Sequence, residues 1–495
     1  MLVCLRQTSL RVGRKWACSQ QITQHHAAHP DRVHHILAQE NHMRKWLRWA
    51  GVVCAIWGSS GVCHAAGFRV SEQGAKAMAM GNAFAAQADD PSALYFNPAG
   101  ISFLPGAQVN LGALTILVPQ TEFHGTTPLS GTPPLDTGGS VVTEKSKRDM
   151  IITPTLYATY SLEATPLSFG LGMNAIYPLS KSWDDSSVFR NQVQTASIKP
   201  INFQPTVAYR FDDLNLALAG GFDVTYAQVS LQKSAYSPAI DPSAPAPPFG
   251  AYEVGSLGLD GTATGYGYNL GLLWKPRQEL AFGVAYRSKI TLDIDGDANF
   301  LATTPTGMGA IGLSETSVSP YTRARATSAA STRITLPDTL DLAVAWHPTP
   351  KTTLEFDATR TGWSSFQQLL INFDSPQFAA FNNQPDPRNW RDVWGYKFGG
   401  EYALTPMLDL RAGYFFDQTP VPDETVDPLL PDADRHSFSF GAGLHNAFCT
   451  LDLAYMWVHF VDRDVHNQDM ATLRGENGTF KSDVYLLAAN LNLKF

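Results

Sequence analysis

After residue 65 this 495-residue chain has a single cysteine, Cys449. That stretch can build neither an intrachain disulfide nor a cysteine-based metal site. It is also short of positive charge. The first 65 residues hold eight of the 36 Lys and Arg and two of the 44 Asp and Glu, which leaves 28 basic and 42 acidic residues in 66–495. This balance argues against a nucleic-acid partner, whose phosphates call for a basic surface. No segment after residue 65 reads as a transmembrane helix, which needs about 20 predominantly apolar residues. Reactive chemistry is missing too. His124, His347, His436, His445, His459 and His466 form no catalytic or metal-ligand motif. His436 and Ser437 are neighbours on a strand and point to opposite faces, whereas an activated nucleophile needs its base within reach. The glycines scatter along strands, without a phosphate loop leading into a helix. The expectation is a protein that is not an enzyme, with no catalytic residue, no metal and no cofactor.

The first 65 residues are of another kind. They contain Cys4, Cys18, Cys54 and Cys63 and seven of the 13 histidines. Met43 opens a basic start (Arg44, Lys45, Arg48), an apolar stretch runs from Trp49 to Val62, and Cys63-His64-Ala65 offers small residues before a cut after Ala65. That is the layout of a secretory signal peptide. Residues 43–65 are read as the signal and 1–42 as an unstructured or over-extended leader, with translation starting at Met43. The rival account is a metal-binding arm built on His25, His26, His29, His34 and His35.

What is present from there on is alternation. Tyr485, Leu487, Ala489, Leu491, Leu493 and Phe495 share one face of the last segment, and Ala488, Asn490, Asn492 and Lys494 share the other. Period-two patterning separates the two faces of a strand. The pattern recurs around Leu214–Val224, Leu280–Ile290, Leu408–Phe416 and Leu451–Trp457. Fourteen strands are expected, near 107–118, 150–162, 166–177, 197–210, 214–230, 262–275, 279–293, 331–347, 351–373, 391–404, 407–418, 436–446, 448–461 and 480–495. Short links alternate with long polar ones, among them 231–261 and 294–330. Lone charges between large apolar groups, with short turns on one rim and long loops on the other, describe an outer-membrane barrel. An even count closes the sheet, which leaves no backbone edge unpaired in lipid. The fold class is therefore all-β: a fourteen-stranded antiparallel transmembrane β-barrel over 107–495. Tyr209, Trp274, Tyr286, Trp346, Trp363, Tyr402 and Trp457 near strand ends suit interfacial girdles, although ordinary sheet packing explains each singly.

Residues 66–106 lack the alternation. Ser71 to Ala88 is rich in Ala, Met, Gly and Gln, suited to one or two short helices; Asp89-Asp90-Pro91 ends it and Tyr95 to Gly100 forms a compact turn. A compact element ahead of a wide barrel belongs in the lumen as a helical hatch, since wide barrels hold either water or a plug. Packing on the periplasmic side is the alternative.

An ordered set of motifs then carries a resemblance. Ala66-Gly67-Phe68, Glu72-Gln73, Ala88-Asp89-Asp90-Pro91 and Asn97-Pro98-Ala99-Gly100 come first. Phe282 to Ile290, Leu336-Pro337-Asp338-Thr339, Trp363-Ser364-Ser365-Phe366, Leu410 to Tyr414 and Asp417 to Pro422 follow. Over essentially all of 66–495 the chain resembles the FadL/TodX family of outer-membrane transporters of long-chain fatty acids and other hydrophobic compounds. The resemblance implies a monomeric barrel in a Gram-negative outer membrane, plugged by an N-terminal hatch that carries Asn97, Pro98 and Ala99. It implies passive transport: capture in an extracellular groove, transfer to a pocket beside the hatch, and lateral release at an inward kink of the third strand. Here that kink falls near 166–177, with Gly170, Gly172 and Pro178 as candidate residues.

The expected cargo is a hydrophobic small molecule, a long-chain fatty acid first, with aromatic or aliphatic hydrocarbons as the alternative; a general polar porin or an outer-membrane lipase ranks below both. Phe68, Met78, Phe84, Ile101 and Phe103 are candidates for apolar ligand contact. By parity Arg287, Lys289, Arg411, Lys397 and Arg333 face inward, and Arg287, Lys289 or Arg411 could pair with a fatty carboxylate. The competing reading pairs these cations with inward Asp341, Glu355, Asp357, Glu401, Asp409 and Asp452, stiffening the wall. Other expected partners are outer-membrane lipid and lipopolysaccharide, and the barrel-assembly machinery during biogenesis.

Overall fold

The computed structural model describes residues 67–128, 140–238, 251–303, 324–382, 384–467 and 475–495; the leader and signal segments lie outside them. The alternating segments form fourteen wall strands. These are β1 Ala107–Val118, β2 Asp149–Ser161, β3 Leu167–Asn174 resuming at Leu179–Ser182, β4 Thr195–Phe211, β5 Leu216–Pro238, β6 Ala251–Arg277 and β7 Leu280–Arg287 resuming at Ile290–Ala302. Then come β8 Ala324–Leu336 resuming at Thr339–Thr349, β9 Thr352–Thr361, β10 Val393–Thr405, β11 Leu408–Asp417, β12 Arg435–His445, β13 Cys449–Phe460 and β14 Asp483–Lys494. Each pairs antiparallel with its neighbour in the chain, and β14 pairs with β1 from Gln108↔Lys494 to Leu117↔Tyr485, closing the sheet.

The burial of the wall is inverted relative to a soluble protein. On β14, Leu487 and Leu491 are exposed while Asn490 and Asn492 are buried, the latter two donating to Asn110 (2.6 Å) and Gln108 (3.0 Å) of β1. The same holds on β6, where Tyr266, Tyr268 and Leu270 are exposed and Asn269 is buried. So extensive an exposed apolar surface needs lipid against it. Tyr209, Trp274, Trp346, Tyr402 and Trp457 lie on this outer surface. Trp363 does not: it is fully buried, with its ring 5.0 Å from Phe68 and 4.8 Å from Trp390.

In two expected loops the described residues are largely strand. β5 and β6 run 23 and 27 residues, whereas about 9–11 suffice to cross a bilayer. β7 and β8 likewise stay paired from Ile290↔Leu336 to Ala302↔Ala324. The apolar alternation fades where the wall leaves lipid, but backbone pairing needs no apolar face and continues outward. The segment expected as one strand over 351–373 is instead β9, a 3-10 turn at Trp363–Ser365 and a short strand Ile371–Phe373 that pairs back onto β8. On the same rim a separate four-stranded sheet joins Arg463–His466, Asn477–Lys481, Glu122–Thr126 and Val142–Lys145.

The N-terminal segment 67–106 folds into two short helices, α1 Ala75–Ala79 and α2 Ala93–Phe96, and a 3-10 turn Pro98–Phe103. Most of it is buried, and wall strands from all round the sheet touch it with the faces opposite the exposed apolar surface. Glycines on those strands make the approach possible. A Cβ on Gly413 of β11 would collide with the backbone of Met80 and Gly81, and one on Gly283 of β7 with the carbonyl of Ala85.

Candidate functional site

Two cavities adjoin the N-terminal segment. The larger, about 120 Å³, is lined by Phe68, by Ile198, Leu231, Leu259, Ile294 and Ile334 of the long strands, and by Trp390, Leu429 and Leu430 of the connecting loops. These side chains come from strands in register, β3 through β8, whose inner faces turn apolar above the polar interior. Phe68 anchors the cavity floor in an aromatic cluster, 6.0 Å from Tyr177 and 6.0 Å from Trp390. Arg388, at the margin, is already engaged by Asp386 (2.7 Å) and Asp427.

The smaller cavity, about 20 Å³, is lined by Arg69, Tyr95, Ile176, Tyr177, Arg287, Asp341 and Lys397 among others. That is room for one water-sized group. Arg287 pairs with Asp223, donates to Gln204 (3.0 Å) and lies 5.4 Å from the Tyr95 ring. Lys397 pairs with Asp341 at 3.1 Å.

Between the two cavities the third strand leaves the wall. The β2–β3 ladder runs from Ser161↔Ser168 to Leu156↔Met173 and stops. Ala175–Pro178 turn inward and are buried; the N–H of Val70 donates to the Ile176 carbonyl (2.8 Å) and the Gln73 side chain to the Ala175 carbonyl (2.7 Å). When β3 resumes at Leu179–Ser182 it pairs with β4. Among the described residues, Asp149–Thr155 of β2 have no ladder partner on β3. Gly170 and Gly172 stand in the intact part, paired on both sides. Gly170 is small because Leu94 packs over it, and Gly172 because the Tyr157 ring does. Of the three residues singled out in the sequence, only Pro178 lies at the departure.

The remaining candidates sort by their contacts. Of the five apolar residues, Phe68 lines the larger of these two cavities and the other four line neither. Met78 packs on Leu114, Met456 and Leu486 of the wall, Phe84 on Phe96, and Ile101 on Leu94 and Tyr157. Phe103 lies under the Lys275 ammonium at 4.4 Å. Asn97 donates to the carbonyls of Ala85 (2.7 Å) and Leu272 (3.0 Å), Pro98 starts the 3-10 turn, and the N–H of Ala99 donates back to Asn97 (3.2 Å). That motif ties the segment to β6.

Parity misplaces two cations. The break at Ser288–Lys289 between the halves of β7 shifts the alternation by one, so Lys289 is half exposed and 3.8 Å from Asp338. Arg333 is exposed and pairs with Asp293 at 2.5 Å. Arg411 is inward but saturated by Glu401 (2.5 Å), Asp452 (2.6 Å) and Asp409 (3.5 Å), as the wall-stiffening reading has it. Glu355 and Asp357 bind main chain instead. The N–H groups of Phe84 and Ala85 donate to Asp357 (3.0 and 3.2 Å), and those of Ala86 and Gln87 to Glu355 (2.6 and 2.9 Å). The residue missed in the sequence is Arg69. Its only signal was its place directly after Phe68.

The model of the family described as outer membrane protein transport protein (OMPP1/FadL/TodX) matches residues 57–495. The chain belongs to that family. Family membership and the barrel together place it in the outer membrane as a transport protein rather than an enzyme. Among its relatives, the long-chain fatty acid transport protein of Escherichia coli O6:H1 is 24% identical over 458 residues, covering 87% of this chain and 94% of that one. Outer membrane protein P1 of Haemophilus influenzae is 25% identical over 491 residues, covering 88% and 97%. Among solved structures, a Pseudomonas aeruginosa FadL homologue superposes with a TM-score of 0.72 at 23% identity, covering 87% of this chain and 100% of that one. The Pseudomonas putida toluene transporter TodX gives 0.62 at 17%, covering 88% and 99%. At such identities these two speak for the fold.

Proposed function

We propose that the mature protein begins at Ala66 and passively carries hydrophobic molecules, long-chain fatty acids first among them, inward across the outer membrane. The observation that carries this reading is the apolar cavity over Phe68, next to a place where the wall strand turns inward. Cargo gathers at the rim built by the extended strands β5 to β8 and enters the cavity. The N-terminal segment acts as a hatch in the lumen, since it is ringed by wall strands and tied to them through Asn97, Glu355 and Asp357. Release is sideways, through the unpaired stretch between β2 and β3 beside Ala175–Pro178. No energy source is coupled; consumption inside the cell draws the flux. The chain acts as a monomer in lipid and lipopolysaccharide, assembled by the barrel-assembly machinery.

A second cargo class, neutral aromatic or aliphatic hydrocarbons, is favoured by the mostly apolar lining of the larger cavity, whose acidic members Asp260 and Asp297 offer a fatty carboxylate no partner. Uptake by cells lacking their own transporter, comparing fatty acids with alkylbenzenes and alkanes, separates the two. Ile198→Trp, which fills the cavity, should cut uptake of the true cargo about tenfold, a loss of about 1.4 kcal/mol in binding. Unchanged uptake with the cavity filled, or entry of sugars and ions at porin rates, counts against the reading. The intact mass of protein purified from membranes checks the start at Ala66.

A further inference from the structure

The smaller cavity holds a cation whose partner is missing. Arg69 is 6% exposed, and its one hydrogen bond among the described residues goes to the Thr361 hydroxyl at 3.2 Å. A guanidinium has five N–H donors. The two other cations on the cavity are spoken for, Arg287 by Asp223 and Gln204 and Lys397 by Asp341. No carboxylate among the described residues lies within 4.0 Å of Arg69. Burial works against its charge, yet the surroundings of Tyr95, Asp341 and Asp417 hold its basicity above the ordinary arginine value, so it stays a cation. A buried charge left with one neutral partner is costly, and the remaining donors border a space the size of one polar group.

Its neighbours in the chain define what would fill that space. Phe68 presents its ring to the apolar cavity while Arg69, the next residue, lines the small one, and Tyr177 stands between, within 6.0 Å of Phe68. A molecule with an apolar body and an anionic end meets both environments across one peptide unit. We infer that Arg69 is the head-group anchor for a carboxylate-bearing amphiphile, whose tail lies over Phe68 and whose carboxylate completes the Arg69 donors. Bidentate pairing of arginine with a carboxylate supplies the geometry. The anchor selects acids over neutral molecules of the same length and holds the head group next to Ile176 and Tyr177, where the strand turns inward.

This rests on the transport reading above, and the test separates the two. The full-length protein, purified in mild detergent, is titrated with hexadecanoate, hexadecanol and acetate. The wild type should bind hexadecanoate about tenfold more tightly than hexadecanol, the scale of a hydrogen bond to a charged group. Arg69→Gln should erase that preference and leave hexadecanol binding unchanged, with heat-modifiable migration confirming the folded barrel. Arg69→Lys should restore part of the preference. A preference that survives Arg69→Gln, or equal weakening of acid and alcohol, overturns the anchor. So does acetate binding as tightly as hexadecanoate, which would make the cavity a small-anion site. Equal binding of acid and alcohol by the wild type sinks the anchor alone, whereas failure to bind either removes the transport reading and the anchor with it.

Discussion

The side-chain amide of Asn97 donates to the main-chain carbonyl of Leu272 at 3.0 Å, joining the N-terminal segment to a wall strand 175 residues away. A second donation from the same amide holds Ala85. Asn97→Ala removes both donations and leaves the buried Ala85 carbonyl without this donor, an unsatisfied group that costs about 1–3 kcal/mol. The expected result is faster amide hydrogen exchange over residues 84–99 with little change in β5, β6 or β7. Exchange accelerated equally in the wall would show that Asn97 supports the barrel as a whole.

Gly413 of β11 lies directly against the turn at Gly81, whose φ of +64° keeps the chain in the left-handed region. Gly413→Val therefore forces the N-terminal segment off this strand, because the atoms it meets are backbone and have no rotamer to yield. On the hatch reading, the barrel still folds and migrates heat-modifiably, while single-channel conductance in planar bilayers rises above the wild type. A folded barrel with wild-type conductance would argue that the segment does not close the lumen.

Glu476 sits fully buried in the outer rim, accepting from the Gln192 amide at 2.7 Å, with its second oxygen unpartnered. Burial pushes its carboxyl up to about 8, with Asp427 adding repulsion. The group is protonated when the rim is closed and ionised when it opens, across the interval between the ordinary glutamate range and about 8. Closure is thus undisturbed below pH 4 and is progressively destabilised as pH rises toward 8. Proteolytic nicking at Arg463 or Lys481 should increase from pH 5 to pH 8.5, and Glu476→Gln should flatten that rise. A variant with the wild-type pH profile would assign the change to another group.

Phe495 ends the outward face of β14, largely exposed, and its N–H donates to the Ala107 carbonyl (2.9 Å) at the seam where the sheet closes. Deleting it removes a seam bond and, on the proposed assembly by the barrel-assembly machinery, an aromatic end that the machinery could read. At native expression the heat-modifiable fraction should fall while secreted, unfolded chain accumulates. An unchanged folded fraction would leave Phe495 as ordinary lipid-facing surface.

Alternation alone determined the wall, since lipid on one side and a polar interior on the other impose period two wherever both are present. Leu487, Asn490, Leu491 and Asn492 announce it without any partner strand. The short links and the Asn97-Pro98-Ala99-Gly100 turn were legible for the same reason: their constraints are local. Where the environment changes along a strand the signal faded, so β5 to β8 extend into the segments expected as loops at 231–261 and 294–330.

Only the tertiary structure decided which cations are free. A two-residue break at Ser288–Lys289 turned Lys289 outward, three carboxylates from three strands quenched Arg411, and Arg69 was left without one. Charge pairing across a closed sheet depends on strand register, which the alternation does not state, and the inward turn of Ala175–Pro178 depends on Val70 and Gln73, about a hundred positions away.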